Sequence, residues 1–93
     1  MDEKQQAVCK DVARLVKILS HPTRLEIICV LKDGEQCVKN ICQILKKGQS
    51  NISQHLSLLR QAGFIDHKRI GNTSSYFIIN LKVVKILKIL SGE

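Results

Sequence analysis

The sequence predicts a mainly α domain with a small β part: four helices, a β-hairpin and a C-terminal helix. Three observations carry that reading. Apolar residues recur at helical spacing in successive segments before Gly63. Two runs of β-branched and aromatic residues then flank Gly71-Asn72-Thr73-Ser74. A last segment returns to helical spacing. With 93 residues, 44% hydrophobic and 25% charged, the chain reads as one globular domain, residues 1–93. Aromatics are only 3%, which favours an aliphatic helical core over an aromatic-rich all-β fold. So small a core is marginal alone, and a dimer is expected.

The elements follow in order. Val8, Val12, Leu15 and Leu19 lie at i, i+4, i+7 and i+11, an amphipathic helix over 4–19, and Pro22 ends it or begins the next. Residues 22–33 carry Leu25, Ile27, Ile28, Cys29, Val30 and Leu31 nearly all round a helix, the pattern of a buried one, and Gly34 suits its C-terminal cap. Val38, Ile41, Cys42 and Leu45 predict a third helix over 38–46, broken by Gly48. Ile52, Leu56 and Leu59 mark the core side of a fourth over 50–62, stopped by Gly63. The tight link between the third and fourth makes a helix-turn-helix.

Residues 65–70 and 75–79 form the expected hairpin. Over 81–90, Val83, Val84, Ile86, Leu87 and Leu90 share one side of a helix, and Lys82, Lys85 and Lys88 take the other. A helix-turn-helix followed by a hairpin is a winged helix. Helices 4–19 and 81–90 are then spare. Their stripes, Val8, Val12, Leu15 and Leu19 against Val83, Ile86, Leu87 and Leu90, predict dimerisation.

The net charge is +7, and its distribution is uneven. Residues 1–35 hold six acids and six bases, whereas residues 36–92 hold nine bases and the single acid Asp66. A basic second half predicts a surface facing a polyanion, here double-stranded DNA. The fourth helix carries the strongest site. On a helical wheel Ser50, Ser53, Gln54, Ser57, Arg60 and Gln61 fall opposite its core side, joined by Asn51, with no carboxylate among them. A solvated face would mix Glu and Lys, whereas these side chains hydrogen-bond base edges and phosphates. His55 is placed at the core edge or facing a phosphate. Lys46, Lys47, Lys68, Arg69 and the hairpin-tip Asn72 are expected to reach phosphates or the minor groove.

Other classes are excluded by what the chain lacks. There is no Gly-rich phosphate loop, no pair of carboxylates within reach and no nucleophile–His–acid set, so no enzyme is expected. No leader and no long apolar run is visible, which predicts a cytoplasmic protein away from membranes. Four cysteines in such a chain read as free thiols, ligands or redox groups.

Two segments, Leu19-Ser20-His21-Pro22-Thr23-Arg24-Leu25-Glu26-Ile27 and the run from Gln49 through Arg60-Gln61-Ala62-Gly63-Phe64-Ile65, resemble the ArsR/SmtB family of repressors over roughly residues 12–80. The resemblance implies a homodimeric winged-helix repressor, paired through its first and last helices. Operator release by a metal, a metalloid or a thiol-reactive signal is implied as well. The family's metal site across the last helix uses Asp, His and Glu. Residues 81–90 contain none of these, nor Cys. A second family site, for trivalent arsenic, has three cysteines at the start of the third helix. Here Cys37-Val38-Lys39-Asn40-Ile41-Cys42 keeps the first and third, and Lys39 replaces the middle one. A third branch, sensing reactive sulfur or oxidants, has a second-helix cysteine like Cys29, but its partner on the last helix is missing here.

The expected sensor is therefore Cys37 with Cys42, with Cys9 as an auxiliary soft-metal ligand and Cys29 as either a redox thiol or a small buried hydrophobe; the alternatives are a redox- or persulfide-responsive switch at the thiols and a constitutive DNA-binding regulator without a sensor. No resident cofactor is required. Cys37 and Cys42 diverge by about 140° on a regular helix. They can grip one ion only if Cys37 sits in a non-helical entry turn, which Gly34-Glu35-Gln36 allows.

Overall fold

The computed structural model describes residues 1–92; of the expected 1–93 domain, Glu93 lies outside the described residues. The order is α1 (Glu3–Leu19), α2 (Pro22–Leu31), β1 (Gln36–Cys37), α3 (Val38–Leu45), α4 (Gln49–Gln61), β2 (Ile65–Ile70), β3 (Thr73–Ile78) and α5 (Lys82–Ser91). All five expected helices and the hairpin are present, their ends shifted by one or two residues at most.

Local chemistry sets the boundaries. Asp2 caps α1 by accepting from the Gln5 N–H at 2.7 Å, and the Gln5 side chain accepts in return from the Asp2 N–H. His21 caps α2, its Nδ1 accepting from the Thr23 N–H, with Pro22 behind it at the position where a missing N–H does no harm. Gly63 at φ 82° ends α4 in a left-handed stop. There the Phe64 N–H reaches the Leu59 carbonyl and the Gly63 N–H reaches that of Arg60. The hairpin turns on two residues, Gly71 at φ 62° and Asn72, so Thr73 and Ser74 join the strand instead of the turn.

Strand β1 was not expected. Two residues carry no readable period. It pairs antiparallel with β3, Gln36 opposite Tyr76 and Cys37 opposite Ser75, giving the sheet order β1-β3-β2. Cys37, Ser75 and Lys68 thus form one row across three strands.

The core is aliphatic. Ile27 and Ile28 of α2, Ile41 of α3, Ile52, Leu56 and Leu59 of α4, Ile65 of β2 and Val83 of α5 are fully buried. The pattern of α2 suggests a helix buried all round, yet Glu26 and Cys29 face solvent. The other elements cover only the Thr23, Ile27, Ile28 and Leu31 side of this short helix. Cys29 is therefore an exposed thiol and not a core residue.

Helix α1 stands away from this core. Every residue from Met1 to Arg14 is exposed. The radius of gyration is 14.4 Å and the long axis 49 Å, where a compact chain of this length has a radius near 12 Å. Of the two stripes expected to dimerise, Leu19 and Val83 instead seal the protomer's own core, and Leu15 and Leu87 pack against it. Val8, Val12, Ile86 and Leu90 remain exposed, joined by Val16 and Ile89. No helix among the described residues is long and apolar enough to cross a membrane.

Helix α3 ends in the same kind of left-handed stop as α4, but on a lysine. Lys46 has φ 56° and ψ 47°, and the Lys47 N–H reaches the Cys42 carbonyl. An L-residue there carries about 1–2 kcal/mol of strain, and glycine adds about 0.5–1 kcal/mol of entropy loss on folding. Lys46→Gly is therefore expected to stabilise the domain by about 0.5–1 kcal/mol, raising Tm by a few degrees in a thermal melt at fixed protein concentration. An unchanged or lower Tm would contradict the strain.

Candidate nucleic-acid interface

Helix α4 divides cleanly. Ile52, Leu56 and Leu59 pack inward against α2, α3 and β2. Ser50, Asn51, Ser53, Gln54, Arg60 and Gln61 are exposed, and Ser57 is half-buried, accepting from Gln61 Nε2 at 3.2 Å. The outward face of α4 is thus one acid-free array of hydroxyls, amides and a guanidinium, as the sequence predicted. Lys46 and Lys47 stand exposed in the turn before it.

His55 does not belong to that face. It is buried, and its Nδ1 accepts from Arg24 Nε at 3.1 Å. Arg24 also donates from Nη1 to the Ile18 carbonyl at 3.0 Å. The His21 ring lies 4.4 Å from that of His55. This network joins the end of α1, the start of α2 and the middle of α4. The helical wheel already holds the signal, since His55 falls about 60° from Ile52, on the core side. Burial first, then the neighbouring His21, Arg24 and Lys47, push the His55 imidazole below its ordinary pKa.

The wing holds Arg60 from the other side. Arg60 Nη1 lies 2.9 Å from His67 Nδ1 and 3.0 Å from its Nε2. The His67 ring stacks on Tyr76 at 5.2 Å, and Asp66 Oδ1 lies 3.5 Å from Nδ1. Sequence reasoning missed this partner. Arg60 and His67 meet only once the turn at Gly63 and the strand register are known. Lys68, expected to reach phosphates or the minor groove, pairs with Glu35 at 3.2 Å, so a carboxylate stands beside its charge. At the tip Arg69 Nε donates to the Gly71 carbonyl at 3.2 Å, and Asn72 is exposed.

All four cysteines are free thiols. Cys37 sits at the N-cap of α3 with φ −78° and ψ 159°, the extended entry that a shared site with Cys42 needs. Cys42 is half-buried beside the core; Cys9 and Cys29 are exposed on α1 and α2. No three His, Cys, Asp or Glu side chains among the described residues converge as a metal cluster, so Cys9 does not complete a three-thiol set within one chain.

The model for bacterial regulatory proteins of the arsR family matches residues 21–67, from the cap of α2 to the first wing strand. The chain belongs to the ArsR family. An uncharacterized HTH-type transcriptional regulator of Methanocaldococcus jannaschii is 37% identical over 79 residues, covering 84% of this chain and 89% of its own. The biofilm growth-associated repressor of Xylella fastidiosa is 33% identical over 88 residues, covering 95% of this chain and 77% of its own. Among solved structures, a homodimeric winged helix-turn-helix DNA-binding domain from Mycobacterium bovis superposes with a TM-score of 0.84 at 25% identity, covering 98% of this chain and 84% of that one. The match to the ArsR family thus spans His21, Arg24, His55, Arg60 and His67, the polar residues that hold α4 in place.

The buried imidazole gives this ArsR-family protein a pH dependence. Unfolded, His55 takes a proton near pH 6.5; folded, only at lower pH, so between the two the unfolded state binds more protons. Its contribution to stability is full above about pH 6.5 and is lost as pH falls through its lowered folded value. Urea midpoints measured on either side of pH 6.5 are expected to fall on the acid side in the parent and to fall less in His55→Gln. Equal slopes in the two proteins would remove His55 as the cause.

Proposed function

We propose that this protein is a cytoplasmic, homodimeric transcriptional repressor that lays α4 of each protomer in successive major grooves of a roughly palindromic operator. The outward face of α4 carries the reading. Short polar side chains let the helix backbone sit deep in the groove, and Ser, Asn, Gln and Arg are equipped to bond base edges and phosphates. Lys46 and Lys47 on one side and Arg69 with Asn72 on the other supply flanking contacts. The similarity to a biofilm growth-associated repressor supports repression, and the similarity to a homodimeric DNA-binding domain supports pairing.

The dimer contact is the groove between α1, α2 and α5, about 450 Å³, walled by Val16, Leu25, Ile86, Leu87 and Leu90. Val8 and Val12 of α1 and Ile89 of α5 are exposed on the same two helices.

The sensor we assign to Cys37 and Cys42, binding a soft metal or metalloid ion such as arsenite, with Cys9 on the dimer helix as the auxiliary thiol. Cys37 is the last residue of β1 and the cap of α3 at once, so a ligand there loads both the wing, through the pairing with Ser75, and the helix that packs on α4. A coupling of about 1–3 kcal/mol through such an element releases DNA by roughly 5–150-fold.

Gel shifts on the promoter of its own gene test the operator reading: Arg60→Ala and Ser53→Ala are each expected to weaken binding about tenfold or more. If neither weakens it, α4 is not the reading helix. Sedimentation at micromolar concentration is expected to give a dimer, and a monomer would remove the assigned interface. For the sensor, arsenite or cadmium is expected to release DNA from the parent, and Cys37→Ser and Cys42→Ser to abolish the response. Variants that still release DNA like the parent would place the switch elsewhere.

A further inference from the structure

A cleft of about 580 Å³ lies between α3, the first residue of α4 and the tip of the wing. Lys39 and Cys42 wall it from α3, Gln49 from α4, and Arg69, Asn72 and Thr73 from the hairpin. No carboxylate among the described residues lines it. The first turn of α4, which opens beside it, has no side-chain cap, so its free amides are open to an anion. Of these residues the sequence pattern points only Arg69 and Asn72 toward DNA; Lys39 stands in it merely as the residue that interrupts a run of cysteines.

We propose that this cleft seats one sugar-phosphate strand of the operator, with Lys39 and Arg69 as its two cationic walls. The proposal rests on the operator reading above and extends it to α3. The geometry is that of a duplex. A backbone strand is what separates a major groove from the neighbouring minor groove. If α4 enters the first and the wing tip reaches the second, that strand crosses the gap between them, and the gap is this cleft. The wing's charge is reassigned accordingly. Lys68 is offset by Glu35, whereas Lys39 is exposed and forms no ion pair among the described residues, so the cation facing Arg69 comes from α3. The strand would also pass over the Cys42 thiol, which lines the same cleft.

The test uses the full chain and a fluorescein-labelled duplex of mixed sequence, because phosphate contacts are independent of the bases. Anisotropy titrations over a range of salt give the slope of log affinity against log salt. Lys39→Gln is expected to make that slope shallower by about 0.9 for each phosphate it leaves unneutralised, counted twice in a dimer. Lys88→Gln, on the outward face of α5, is expected to keep the parent slope. In parallel, a saturating excess of the same duplex is expected to slow alkylation of Cys42 by iodoacetamide severalfold and to leave the exposed Cys29 on α2 at its free rate, read by peptide mass spectrometry. If the duplex binds yet Lys39→Gln keeps the parent slope, or Cys42 reacts at its free rate in the complex, the cleft is not the strand's seat and the α4 reading survives. If the parent binds neither this duplex nor its own promoter, the operator reading falls and this proposal with it.

Discussion

Helix α4 is held in rotation by the complete burial of Ile52, Leu56 and Leu59, and the outward chemistry of the protein follows from that constraint. Each such side chain is worth about 1.5–3 kcal/mol against exposure. Turning the helix by one residue would swing all three toward water, at a cost comparable to the roughly 5–15 kcal/mol that holds a small domain together. Ser50, Ser53, Gln54 and Arg60 therefore cannot be re-aimed by rotating α4 in place. Any signal that alters their presentation has to move α4 together with what it packs on, which means α2, α3 and β2. That makes the start of α3 an effective place for a regulatory contact.

Two arginine–imidazole bonds fix what packing leaves free. On the inner side Arg24 spans the Ile18 carbonyl and His55, so the last turn of α1 and the middle of α4 share one guanidinium. On the outer side Arg60 meets His67, which is itself stacked on Tyr76. In both, imidazole faces a permanently charged donor, and a neutral ring is the form that can accept. The burial of His55 and the cations around it favour that neutral form. The consequence is that α4 is referenced at one face to the last turn of α1 and at the other to the wing.

The helices were legible because each buries a stripe at a spacing of three or four residues and stops at a residue suited to stopping: Ser20-His21-Pro22, Gly34, Gly63. The wing was legible from Gly71-Asn72 between β-branched runs. What escaped was everything set by register between strands. β1 is too short to show a period, and the Lys68–Glu35 pair and the Arg60–His67 contact join residues whose proximity only the folded sheet and turns define. Cys29 misleads for a different reason. An apolar helix pattern says that no polar face is needed, but it does not say that enough protein exists to cover every side, and in 93 residues it does not. With His55 the information is present in the sequence: its angular position lies with Ile52 and Leu59, while its chemistry draws attention to the outside.

The same shortage of material accounts for the placement of the proposed dimer surface. Leu19 and Val83, which seal the protomer's core, are direct neighbours of Val16 and Ile86, which wall the groove outside it. Core and groove are one apolar surface, closed from within on one side and open on the other. A second chain laid in that groove would complete the core instead of adding a separate contact, so pairing and folding would draw on one free energy and the stability of the fold would depend on protein concentration. The first three turns of α1, exposed along their whole length, then have a physical reason to stay helical, since an isolated helix of that length is marginal in water. Charge follows that division in part. The half of the chain that builds α1 and α2 is neutral and free to approach its own copy, and six of the nine bases of the second half lie in α3, the turn after it, α4 and the wing, while Lys82, Lys85 and Lys88 lie on α5.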